Sequence, residues 1–319
     1  MRAVFPIALL LLLASCVEDV AAPSGVAEPY SMYGILNPRL EMQTVLVSPI
    51  VANLDDYGAS VDAAVTSTNL ATGRERFWRD SVVVGERGQR DHVFVAHFRP
   101  DFGSTHRMDV ARSDGDASTV EIDVPGLVSI EFEERPDAVI AVHVSGEDFR
   151  IVRAEIVYVV RFYSMGMSPA TVCKQMPRGE YTLPLALPNS EDESRQVLEI
   201  DLREHWEFVR SRYAFEHDVR YLSSRDGVAL MDADLEVTIG GESWIPQGSG
   251  LGEGVSGIPG VLSNVGNGFG FVAGGYNQER SVWPSEAAVE ESNFFDLLMR
   301  PPGVCFDLCS CGLFPEEDD

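Results

Sequence analysis

Along residues 32–124, apolar and polar side chains alternate in short runs, and a turn signal interrupts them about every ten residues. No other feature of the chain limits its fold so strongly. In QTVLVSP, Val45 and Val47 fall on one face, and in SVDAAVTS so do Val61, Ala63 and Val65. HVFVAHF sets Val93 and Val95 against Phe94, Ala96 and Phe98, and STVEIDV sets Val120, Ile122 and Val124 against Glu121 and Asp123. A period of two, with DDYG, ATG, ERG and SDGD as turns, predicts an antiparallel β-sandwich. Seven or eight strands in roughly 95 residues fit an immunoglobulin-like module over residues 32–125.

VPGL at 124–127 marks the expected boundary to a second β-sandwich over residues 126–290. Its strands are VSIEFEE, AVIAVHV, RAEIVYVVRFY, QVLEIDL and DLEVTIGG. AVIAVHV is apolar on both faces, as a central strand is. In DLREHWEFVRSRY the period changes: Leu202, Trp206, Val209 and Tyr213 share one helical face, and Asp201 with Glu204 forms a capping box. The predicted class is therefore all-β, two antiparallel sandwiches, the second with one short helix packed on it.

Residues 246–275 are dense in glycine, which predicts loops lying against another surface. The string from Gly266 to Gly270 is no phosphate cradle, because neither a helix pattern nor a lysine follows it. GVSGI around Ser256 misses the serine-hydrolase elbow by one position. The histidines (His92, His97, His106, His143, His205, His217) show no metal-binding spacing. Asp114 and Asp116 in SDGDAS are explained by a hairpin turn more simply than by calcium. No catalytic residue, metal ligand or cofactor is predicted. The candidate contact surface is the aromatic set on and beside the glycine-rich run: Trp244, Asn267, Phe269, Phe271 and Tyr276. Its alternative is that these rings are core.

The chain opens MRAVFPIALLLLLASCVED. Its apolar stretch, residues 4–14, is shorter than the roughly 20 residues a transmembrane helix needs, and Arg2 precedes it, which together read as a secretory signal over residues 1–15. Leu13-Ala14-Ser15-Cys16 resembles the lipobox of bacterial lipoproteins, which implies acylation of Cys16 and a membrane tether through it. Val17 in place of aspartate favours the outer membrane, and Glu18-Asp19 is similar to a surface-export signal. Residues 16–31, rich in Ala, Pro, Gly and acids, read as a leash. Without residues 1–15, the 24 basic residues become 23 against 50 acidic ones, a formal charge of −27. Such a surface repels nucleic acid and anionic lipid. Lys174 is the only lysine; acidity with so little lysine fits either a high-salt habitat or an acidic surface protein of a GC-rich genome.

Besides Cys16 the chain has Cys173, Cys305, Cys309 and Cys311, which in an exported protein are disulfide candidates. Pairing of Cys173 with one cysteine of the tail at 291–319, and of the other two together, is expected; a four-cysteine zinc site is the rival. With the lipobox, YSMYGILNP, LSNVGNGFGFVAGGY at 262–276 and the closing CFDLCSCG, the chain resembles a Bacteroidota-type outer-membrane lipoprotein family, domain of unknown function 4249. The Cys-x-x-x-Cys-x-Cys spacing and short acidic end depart from the family's Cys-x-x-Cys-like tail. The resemblance implies an envelope-anchored two-domain β protein with no established activity. The expected function is a non-enzymatic binding or accessory module, beside an outer-membrane transporter or on a glycan. A metal-independent hydrolase and a structural adhesion module are the alternatives.

Overall fold

The computed structural model describes residues 29–50, 61–84, 90–164, 178–188, 194–216, 226–244, 263–292 and 295–296. The first half of the chain forms eight strands: β1 (Tyr30–Leu36), β2 (Met42–Pro49), β3 (Ala64–Asn69), β4 (Glu75–Phe77), β5 (Arg79–Val84), β6 (Arg90–His97), β7 (Thr105–Ala111) and β8 (Ala117–Asp123). The second half adds β9 (Ser129–Arg135), β10 (Val139–Ser145), β11 (Arg150–Ser164), β12 (Arg178–Pro184), β13 (Arg195–Asp201), β14 (Asp226–Gly240), β15 (Phe269–Ser281) and β16 (Phe295–Asp296). Two described helices accompany them, α1 (Leu202–Glu216) and α2 (Glu286–Ser292). The protein is an all-β sandwich assembly.

In the first sandwich β1-β2-β6-β5 faces β4-β3-β7-β8. Val45, Val47, Val65, Phe94, Val120, Ile122 and Val124 close its core, as the alternation requires, together with Met32 and Met108. Trp78 stands where the chain leaves β4 for β5 in the other sheet, with its indole N–H donating to Ser67 Oγ at 2.9 Å. The second core lies between β12-β11-β14-β15 and the three strands β13-β10-β9; β10 is the middle strand, with Ile140, Val142 and Val144 turned into the core, while its other face carries His143, which pairs with Glu133 at 2.9 Å. Asp201 caps α1 by accepting from the backbone N–H groups of Arg203 and Glu204 at 2.9 and 3.0 Å. Leu202 and Val209 of α1 are fully buried, with Trp206 and Tyr213 packed at the margin. The short helix α2 joins it, the Ser285 hydroxyl accepting from Ala288 N–H at 3.3 Å.

The glycine-dense run is a loop only in expectation: from Phe269 onward it is the strand β15. Its first half pairs parallel with β1 and its second half antiparallel with β14. One strand therefore belongs to both sandwiches, and the sheet β12-β11-β14-β15-β1-β2-β6-β5 runs through the whole molecule. Val265 and Val272 consequently lie in the first core, far in sequence from the other residues there.

The joint is locked where β15 passes the connection at 123–128. The Tyr276 hydroxyl donates to Gly126 O at 3.0 Å and accepts from Val128 N–H at 3.1 Å. Asp123 N–H donates to Ser243 Oγ at 3.0 Å. A side chain at Gly274 would stand 2.6 Å from Val124 Cα, so only glycine lets β15 pass this close. Arg39, in the turn after β1, lies 4.5 Å above the Tyr276 ring and donates to Asn277 O at 3.2 Å and Gln278 Oε1 at 3.0 Å.

Candidate functional site: one sheet with two outer surfaces

Because side chains alternate across a strand, the registers decide what the long sheet shows to the outside. Beside β1, Tyr33 is level with Phe271 on β15 and Leu46 on β2, and Ser31 is level with Phe269. Ile35 is level with Ala273 and Thr44; on β6, Val95 continues that row and Val93 continues the row of Tyr33 and Leu46. All point away from the first core. Ile35 is 47% exposed and Met42, at the end of the same face, 52%. Tyr33, Leu46, Val93, Val95, Phe269 and Phe271 are half-buried by one another. Burial pushes the Tyr33 phenol up from its ordinary value. Among the outward positions of β1, β2, β6 and this half of β15, the only carboxylate is Asp91, at the rim.

Across the joint the same sheet changes character. Glu279, Glu236 and Glu155 stand level on β15, β14 and β11, with Asp234 in the next row and Glu180 on β12. Arg153 pairs with Glu155 at 2.7 Å. This half is an ordinary solvated face, apolar inward and charged outward. The half over the first sandwich is apolar inward and largely apolar outward, with Ser31, Thr44, Ser48 and His97 among its outward positions and Arg79 and Ser81 on β5.

Trp244 forms the border. Its ring lies flat on the backbone of β14 and β15, where a Cβ on Gly275 would come 2.8 Å from Cζ3, and its edge meets Phe271 at 5.5 Å and 78°. The ring of Phe269 meets Tyr33 in the same T-shaped manner, at 6.4 Å and 82°. Trp244, Phe269 and Phe271 therefore share one aromatic surface. Asn267 does not join it: this exposed residue (φ 48°) sits at the β8 edge, where its amide donates to Ala117 O at 2.7 Å. Tyr276 points the other way and is buried in the joint. Tyr33, Ile35, Leu46, Val93 and Val95 complete the surface, and sequence reasoning missed them. Their signal was the run HVFVAHF, apolar on both faces in the way that marked AVIAVHV as central.

Several histidines and carboxylates among the described residues are held in specific contacts. His106 Nε2 lies 3.1 Å from Ser104 Oγ, whose hydroxyl donates to Asp101 O, but no group holds His106 Nδ1, so the pair lacks the orienting third member. Burial lowers the His106 pKa. His205, on the buried face of α1, has Nδ1 2.7 Å from the Tyr158 hydroxyl; burial brings the imidazole down to about 4 and pushes the phenol up. Asp114 and Glu133 are held below the usual carboxylate range, by hydrogen bonds from Arg112 and His143 respectively. A general acid requires the opposite shift. In the β7–β8 turn, the Arg112 guanidinium fills the space between Asp114 and Asp116, at 2.6 and 2.5 Å. A cleft between Leu230, Ala233, Trp283 and Val289 holds about 20 Å³, the room of one water molecule. His97 is exposed on the rim of the apolar face, and His92 binds Asp80 at 2.9 Å. No described helix is long and apolar enough to cross a membrane. Cys16, Cys173, Cys305, Cys309, Cys311, Ser256 and His217 lie outside the described residues.

No family model and no curated protein matches the sequence. Among solved structures, pullulanase from Anoxybacillus sp. LM18-11 is similar over 54% of this chain and 22% of its own, with 12% identity and a TM-score of 0.21. The chain thus spans about a fifth of that enzyme's length. Bovine butyrophilin is similar over 66% of this chain and 92% of its own, with 10% identity and a TM-score of 0.19. Overlays this loose carry nothing about the function of this protein.

Proposed function

We propose that the protein is an envelope-anchored lipoprotein, acylated at Cys16, that works as a non-enzymatic binding or accessory module beside an outer-membrane transporter. The observation that carries the binding role is the division of one continuous sheet into a solvated acidic outer face and an apolar, aromatic one. Exposed apolar patches on otherwise charged proteins mark contact surfaces. The signal segment and the lipobox motif ending in Cys16 support the anchor. The strand order supports an immunoglobulin-like reading of the first sandwich: β1, β2, β6 and β5 stand as strands A, B, E and D, and β3, β7 and β8 as C, F and G.

Metabolic labelling with an alkyne fatty acid, followed by gentle solubilisation and capture through a C-terminal tag, tests this reading. The wild-type protein carries the label, fractionates with the outer membrane and brings a stoichiometric membrane protein; Cys16→Ser loses the label and the fractionation. An unlabelled wild-type protein, or a labelled one that arrives without a partner, contradicts it.

A further inference from the structure

We propose that the apolar outer face of β15-β1-β2-β6 lies against the lipid bilayer that holds the anchor, so that the first sandwich rests on its sheet and not on an edge. This rests on the anchored reading above and assigns the contact of that face to the bilayer in which the transporter sits, not to the transporter itself.

The attachment point carries the inference. Thirteen residues, 17–29, separate Cys16 from the start of β1, and an extended chain of that length reaches at most about 45 Å. The leash enters β1, which lies between β15 and β2 in the middle of the apolar face. A tether attached there holds this face within reach of the bilayer at an effective concentration on the order of millimolar. Weak intrinsic affinity then suffices. The chemistry matches: Tyr33 and Trp244 are the amphipathic aromatic types that settle at a membrane interface, and Ile35 and Met42 supply aliphatic surface beside them. Charge separates the two halves of the sheet. The acidic half of the sheet, with Glu155, Glu236 and Glu279 in one row, would lose hydration at a bilayer, whereas the apolar half has a carboxylate only at its rim.

The test uses phosphatidylcholine vesicles containing bromine-labelled lipid, and protein with Trp206→Phe and Trp283→Phe so that Trp244 reports beside the buried Trp78. One sample carries its native acyl group, verified by mass; a second carries a hexahistidine tag at position 16 that binds nickel-chelating lipid. Trp244 emission is expected to fall by roughly half in both samples, as for a ring at the interfacial level. Ile35→Glu and Met42→Glu, at exposed positions that leave the core intact, are expected to abolish the quenching. Unquenched Trp244 in the hexahistidine sample overturns the inference, whether the protein is then monomeric or paired through this face. A native protein without an acyl group overturns the anchored reading instead, and the hexahistidine sample separates the two failures.

Discussion

Replacing Tyr276 by phenylalanine removes one oxygen from the joint between the sandwiches. The ring keeps its contacts, edge-on to Phe102 at 5.4 Å and under the Arg39 guanidinium at 4.5 Å. Two buried backbone groups lose their partner: Gly126 C=O, which accepts from the hydroxyl at 3.0 Å, and Val128 N–H, which donates to it at 3.1 Å. Tyr276 is 2% exposed and Val128 4%, and the space vacated by a hydroxyl is too small for a water to serve both groups. A buried polar group left unpaired costs about 1–3 kcal/mol, and two are left here, so Tyr276→Phe is expected to destabilise by about 2–6 kcal/mol. Urea denaturation followed by tryptophan fluorescence and by far-ultraviolet circular dichroism measures this. Tyr33→Phe, on the outer face of the same sheet, is the control and is expected to stay within about 0.5 kcal/mol. A Tyr276→Phe protein as stable as that control would refute the claim that the joint is held by this hydroxyl.

Three further outcomes follow from the geometry. Gly274→Ala places a methyl group against the backbone at Asp123 and Val124, which cannot give as a side chain can, and is expected to cost about 3 kcal/mol or prevent soluble expression, read by thermal melts. His205 has its folded pKa at about 4 against 6.5 unfolded, so the folded state binds fewer protons between those values. Its contribution, about 3 kcal/mol, is complete above pH 6.5 and lost as pH falls through 4, and His205→Gln flattens that part of a stability–pH curve. Glu236→Gln relieves repulsion from Glu155 and Glu279, raising stability by about 0.5–1 kcal/mol at low salt and by nothing measurable at about 1 M salt.

Period-two patterning made most of the fold legible. The inward sets of β2, β6 and β8, the central place of β10 and the capped helix α1 all follow from local spacing. The role of β15 did not. Glycine erases the alternation that announces a strand, and the pairing of β1 with β15 joins residues more than two hundred positions apart. The Tyr158–His205 pair was hidden for the same reason, since nothing in either neighbourhood names its partner. At the candidate site the aromatic residues were visible by type, but their direction was not: Phe271 and Tyr276 differ by an odd number of positions, and that parity sends one outward and the other into the joint. The run HVFVAHF is apolar on both faces in sequence, but only the register shows that Val93 and Val95 join Tyr33 and Ile35 on one outer surface.

The central claim is that the apolar outer face of the first sandwich is covered in the working protein. Oxidative footprinting of the tagged protein, in intact membranes and again after purification, tests it most directly. Met42 and Trp244 report on the face; Phe215 and Trp283, 79% and 62% exposed elsewhere, report on solvent. The account predicts that Met42 and Trp244 are protected several-fold in membranes while Phe215 and Trp283 are labelled equally in both samples. Equal labelling of all four in both samples would contradict it.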